Sequence, residues 1–247
     1  MYLDVVDLRD FYAAPLGRTV ARQLRPVVSG LARIDAGTRV LGLGFATPYL
    51  IPMLGAERVL AFMPAGQGVI DWPANGASAT ALVDEDSLPL PDMSIDLVIL
   101  MHALEMSASP HALMAELRRV LTSVGQLIVV VPNRRGPWAR FDLSPFGFGR
   151  PYSRSQLREL FAQAGFEAED WASGLHMPPM SWRPLLGAAR IFERIGRICW
   201  PAFAGVIVVS AVKRTVQGVT VRVRPKLAPS LRPALRPTIG IAGRLPP

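Results

Sequence analysis

The chain has 247 residues, half of them apolar, enough to bury one substantial core with appendages. Lys and Arg outnumber Asp and Glu by 27 to 19, yet from Lys213 onward there are eight basic residues and no acidic one, so the body before that point is formally neutral. A uniformly basic nucleic-acid-binding body is thereby excluded, and one cysteine, Cys199, excludes an intrachain disulfide.

Asp4, Asp7, Arg9 and Asp10 crowd the first ten residues, which is wrong for a secretory signal. Pro15–Ile34 places Leu16, Val20, Leu24, Val27 and Leu31 at helical spacing, with Pro26 expected to kink or end the first part. Thr38–Leu43 reads as a buried strand running into glycine. Thr47–Leu54 reads as a helix with Pro48 in its first turn, shortened by Pro52. Glu57–Met63 and Ala79–Val83 are the second and third strands, with Gly66, Gly68, Pro73 and Gly76 leaving little room for a helix between them.

Ile95–Met101 is the fourth strand. Ser109 is expected to cap a helix that has Pro110 at its first position and Leu113, Leu117, Val120 and Leu121 on its apolar side. Gln126–Val131 is the fifth strand. Ser153–Ala164 reads as a capped helix stopped by Gly165, followed by strands over Phe166–Trp171 and Gly205–Val212. The longest uncharged apolar run, Ile198–Val212, is 15 residues and is broken by Pro201 and Gly205. That falls short of the roughly 18–20 residues that span a bilayer. It is expected to be a buried strand, with Cys199 as a packing residue in an apolar setting. A cytoplasmic protein with no transmembrane segment is the expectation.

Strands alternating with helices predict a mostly parallel α/β sheet flanked by helices on both faces. Residues 1–36 would form an N-terminal helical cap. Residues 37–213 would be the α/β domain, with an insertion at 174–200. Residues 214–247 would be a basic, Pro-rich, disordered tail.

DEDSLPLPDMSIDLVILMHALE, from Asp84, and SPHALMAELRRVLTSVGQLIVVVPN, ending at Asn133, together resemble the class I S-adenosylmethionine-dependent methyltransferases, in the type 11 domain group. The resemblance implies a Rossmann-like seven-stranded sheet with its last strand antiparallel. Its ligand would sit beyond the carboxyl ends of the first and fourth strands, where strand order reverses. It implies S-adenosyl-L-methionine as cofactor and a small-molecule methyl acceptor as partner. By position, Gly42, Gly44, Ala46, Asp84, Glu85 and His102 would contact the cofactor, and His102 would be the catalytic candidate, a base near neutral pH.

The family's Asp-x-Gly-x-Gly-x-Gly turn is degenerate here. Gly42 stands where the family has its acid, Ala46 and Pro48 stand where it has later glycines, and Gly44 alone keeps a glycine of the turn. The second strand ends Ala61-Phe62-Met63-Pro64, without the acid that binds the ribose hydroxyls in the family. Gln67 and Asp71 are candidate substitutes.

The bland readings stand beside these. Asp84, Glu85 and Asp86 also suit a solvated loop, His102 a packing or capping residue, and Glu105 a local turn acid. His111 reads as inert and His176 as a residue of a substrate lid. No metal-ligand spacing is present. The function expected is methyl transfer, and the alternative is a non-catalytic methyltransferase-fold binding or regulatory protein that has lost its cofactor. The tail could contact nucleic acid or an anionic lipid surface, although basic residues without aromatic interleaving are also a solvated tail.

Overall fold

In the computed structural model, which describes residues 2–141 and 144–214, the apolar runs become seven strands. They are β1 (Arg39–Gly44), β2 (Arg58–Pro64), β3 (Thr80–Val83), β4 (Ile95–Met101), β5 (Leu121–Pro132), β6 (Phe166–Gly174) and β7 (Val206–Lys213). One sheet holds them in the order β3-β2-β1-β4-β5-β7-β6. The first five are parallel, while β7 runs antiparallel between β5 and β6. Strand order therefore reverses between β1 and β4, and the predicted class I methyltransferase sheet is the one the chain forms.

Both faces of the central strands are covered, which is why they read as near-continuous apolar runs. Alternate residues point opposite ways. Val40, Leu97, Ile99, Ile128 and Val208 face helices α1 (Val5–Ala13), α2 (Pro15–Leu31) and α3 (Thr47–Leu50). Leu41, Leu43, Val98, Leu100, Leu127 and Val129 face α4 (Pro110–Val120) and α5 (Arg154–Gln163).

Helix α1 went unread in the sequence. Asp4 caps it by accepting from the Val6 N–H at 2.7 Å, and Val5, Leu8 and Tyr12 form its buried stripe. Helix α2 passes through Pro26 without ending there. The proline offers no N–H to the turn before it, but Val20, Leu24 and Val28 are fully buried on either side and hold the helix. Ser109 precedes α4 without a side-chain cap; its own N–H goes to the Ser107 hydroxyl at 3.1 Å. Helix α5 has the full capping box between Ser153 and Gln156, and Gly165 beyond it has φ +73°.

Within 174–200 the chain forms α6 (Arg183–Gly187) and α7 (Ala189–Cys199). Ile198–Val212 is thus not one strand: helix continues through Cys199, and β7 begins only at Val206. Cys199 is exposed, correcting the expectation of a packed thiol: it is the last residue of α7, whose buried residues are Ala189 and Gly196. Among the described residues no helix is long and apolar enough to cross a membrane. The expected basic tail lies outside the described residues.

Candidate functional site

The carboxyl ends of β1 and β4 meet where the sheet reverses, the place an open α/β sheet offers a ligand. Gly44 ends β1 with φ +82°, and a Cβ there would lie 2.1 Å from the Met101 carbonyl oxygen. Only glycine permits this approach. The next N–H, of Phe45, donates to that same carbonyl at 2.9 Å. Gly42 is crowded by side chains rather than backbone: a Cβ would meet the Leu50 side chain at 2.7 Å and the Ala46 methyl at 2.8 Å. An acid at position 42 would therefore require Leu50 on α3 and Ala46 before it to shift. Ala46 has φ −90°, a conformation open to alanine, and it is buried.

His102 follows β4 with φ +51°, a strained conformation for a residue with a side chain. Three elements hold it there. Its Nε2 lies 2.9 Å from the Tyr12 hydroxyl on α1. Its carbonyl accepts from the Gln67 side-chain amide at 3.0 Å. Its ring lies 4.7 Å from that of Phe146. Nδ1 faces the Glu105 carboxylate at 3.3 Å, with both side chains fully buried. Both Glu105 oxygens, and Gln67 Oε1, lack hydrogen-bond partners.

Tyr12 is the centre of this cluster. Its ring stacks on Phe45 at 5.4 Å and 15°, and its hydroxyl also lies 3.1 Å from that of Tyr49. Burial, reinforced by Tyr49 and Glu105, pushes the Tyr12 phenol well above its ordinary pKa, and burial raises Tyr49 too. Helix α1 is fastened at its start as well, the Val5 N–H donating to the Gln67 carbonyl at 2.7 Å.

The predicted residues divide accordingly. Gly42, Gly44, Ala46 and His102 converge at the strand edge. Asp84 is exposed and accepts from the Asp86 N–H in its own loop at 3.1 Å. Glu85 is half-buried, its carboxyl raised by burial while the Ser107 hydroxyl donates to it at 2.7 Å. Glu105, read as a local acid, is fully buried against His102. His111 is exposed, and His176 is buried with Nδ1 2.9 Å from Glu193 rather than open to a ligand. Tyr12, Tyr49 and Phe146 were not singled out in the sequence. Among the described residues no three His, Cys, Asp or Glu side chains gather as metal ligands.

Set against the nucleoside cofactor, the crevice does not fit as it stands. Phe45 is 2 % exposed and Tyr12 8 %, so the hollow beyond Gly44 is filled by the chain's own rings. At the end of β2, where the family's acid accepts from the ribose hydroxyls, stand Met63 and Pro64; Asp71 is exposed, and Gln67 donates its amide N–H to His102 while its Oε1 keeps no partner. The open space is a groove of about 1810 Å³ between α2 and α6–α7 that reaches Tyr12 on α1 and Thr47 and Pro48 on α3, and whose lining includes Arg18, Arg22, Arg25, Arg190, Arg194 and Trp171.

Residues 42–129 match the family model of the methyltransferase domain. Over 91 residues the chain is 36 % identical to a Mycolicibacterium smegmatis protein described as a probable S-adenosylmethionine-dependent methyltransferase, covering 36 % of this chain and 35 % of that one. The chain thus spans about a third of that relative's length. An uncharacterised Mycobacterium tuberculosis protein is 25 % identical over 209 residues, 82 % of this chain and 70 % of its own. Among solved structures, the protein bound to the Trm112 methyltransferase activator of Haloferax volcanii is similar, with TM-score 0.56, 20 % identity, and 84 % and 97 % of the two chains covered. Residues 42–129 thus match the methyltransferase domain within a chain that has the fold of class I S-adenosylmethionine-dependent methyltransferases, a match and a fold that imply S-adenosylmethionine as cofactor.

Proposed function

We propose that this chain is a methyltransferase-fold binding or regulatory protein that does not transfer methyl groups, its cofactor crevice closed from within. The Tyr12–Phe45 stack, locked by the Tyr12–His102 hydrogen bond, carries this reading. Admitting a cofactor requires α1 to leave, which exposes Val5, Leu8 and Tyr12. Each such side chain contributes about 1.5–3 kcal/mol by burial, so opening costs about 5–9 kcal/mol. A micromolar complex is worth about 8.2 kcal/mol. Charged against that opening, even a micromolar intrinsic affinity becomes millimolar or weaker.

The second reading is a methyltransferase of a small-molecule acceptor with α1 as a removable cover. It is favoured by the unpartnered oxygens of Glu105 and Gln67, which an incoming ligand would satisfy. Calorimetric titration with S-adenosylmethionine separates the two. Silence at millimolar ligand supports the binding protein, and binding at tens of micromolar or tighter supports the enzyme.

A further inference from the structure

Helix α7 presents three faces. Ala189 and Gly196 are buried against the body, and Gly196 is so close that a Cβ would meet the His176 side chain at 2.3 Å. Arg190, Arg194 and Arg197, spaced by four and three residues, form a second, exposed face. Ile191, Ile195 and Ile198 share that spacing about 100° further round the helix. They are 61, 44 and 79 % exposed. The chain leaves the helix through Trp200 and Phe203, the latter 55 % exposed, and approaches α6 through Trp182 at 65 %. Three isoleucines exposed along one side of a helix call for a partner.

The charges beside it identify the partner's chemistry. Glu193 is the single acid on α7, and its carboxylate is taken up by the His176 backbone N–H at 2.7 Å and ring at 2.9 Å. Among the described residues the three α7 arginines have no ion pair. Across the groove α2 turns Arg18, Arg22 and Arg25 toward the same space. A second copy docking through this face would bring like charges together. The chain's own residues from 215 onward carry no acid. An isoleucine face bordered by arginines and flanked by tryptophan and phenylalanine suits the boundary between acyl chains and anionic headgroups.

We propose that α7 docks this protein on anionic phospholipid bilayers, Ile191, Ile195 and Ile198 entering the acyl boundary while Arg190, Arg194 and Arg197 engage lipid phosphates. The groove beside α7 then opens at the headgroup level, with its α2 arginines available to further phosphates. This surface is separate from the β1–β4 crevice, and its function does not depend on whether the crevice takes a cofactor.

The test is co-sedimentation of the full-length protein with vesicles of phosphatidylglycerol and phosphatidylcholine in equal parts, against phosphatidylcholine alone. Binding is expected only to the anionic vesicles. Replacing the arginines together (Arg190→Gln, Arg194→Gln, Arg197→Gln) should weaken partitioning by about 100-fold. Replacing the isoleucines together (Ile191→Ser, Ile195→Ser, Ile198→Ser) should weaken it at least about 10-fold. These side chains are exposed, so circular dichroism should be unchanged. Because the basic tail could also hold vesicles, insertion is read separately: acyl-brominated lipid should quench wild-type tryptophan emission, and the Trp182→Phe, Trp200→Phe variant should lose that quenching. No preference for anionic vesicles, undiminished binding by the isoleucine variant, or an absence of quenching would each overturn the proposal. So would a concentration-dependent dimer that the isoleucine variant abolishes, which would assign the face to a second copy.

Discussion

The hydroxyl of Tyr12 lies 2.9 Å from Nε2 of His102, joining the first helix of the chain to the loop that follows its fourth strand, 90 residues away. The contact lies where the carboxyl ends of β1 and β4 meet. It satisfies one nitrogen of a fully buried imidazole and brings the Tyr12 ring flat against Phe45.

Tyr12→Phe keeps the ring and removes the hydroxyl shared with His102 and Tyr49. A buried donor or acceptor left unpaired costs about 1–3 kcal/mol. The urea midpoint of the variant should fall by the corresponding amount with an unchanged m-value, whereas an open, solvated crevice would show almost no effect.

Gly42→Asp restores the family's acid and should fail to restore its function. A Cβ there meets Leu50 at 2.7 Å, and the carboxylate would be buried between α3 and β1. Destabilisation of about 3 kcal/mol or more is expected, with no gain in affinity for S-adenosylmethionine. A variant as stable as the parent that binds the cofactor would show the packing reading of Gly42 to be mistaken.

How far the sequence foretold this depends on the range of the interactions. Ile95–Met101 was read as a strand with the bounds it has, because seven apolar-rich residues between turns suffice to define a strand. The Ser153–Gln156 capping box and Gly165 likewise act within a few residues. Helix α1 did have a signal, Val5, Leu8 and Tyr12 at helical spacing, masked by the acidic residues among them. Pro26 does not end α2, since burial on both sides outweighs one absent hydrogen bond. The filled crevice had no local signature: Tyr12, Phe45, His102 and Phe146 come from four segments, and only the fold brings them together. At the degenerate glycine turn, Leu50 and Ala46 pack against Gly42, a contact between α3 and β1 that the turn's spacing alone does not show. Cys199 was misplaced because an apolar run was taken as one strand where a helix and a strand adjoin.

Acid should reveal a different feature, at the opposite end of the strands. Arg39 donates to Asp96 through its guanidinium at 2.8 and 3.0 Å and through its backbone N–H at 3.0 Å, holding the carboxyl below its ordinary value of 3.8. A lowered folded-state pKa means the unfolded chain takes up the proton first. The pair's contribution is thus complete above pH 3.8 and lost as pH falls through the lowered value. Urea midpoints measured between about pH 5 and pH 2 should decline less steeply for Asp96→Asn than for the parent.

Hydrogen exchange distinguishes a packed α1 from a lid. If Val5, Leu8 and Tyr12 are core, the amides late in α1 should exchange at rates close to those of β4, through large-scale opening. Exchange of α1 thousands of times faster than β4, slowed by S-adenosylmethionine, would identify it as a cover over a working site.

The most direct test is calorimetric titration of the full-length protein with S-adenosylmethionine. A crevice closed by Tyr12 and Phe45 predicts no binding heat up to millimolar ligand. A saturable isotherm at tens of micromolar or tighter would contradict it and return the chain to the methyl-transferring enzymes.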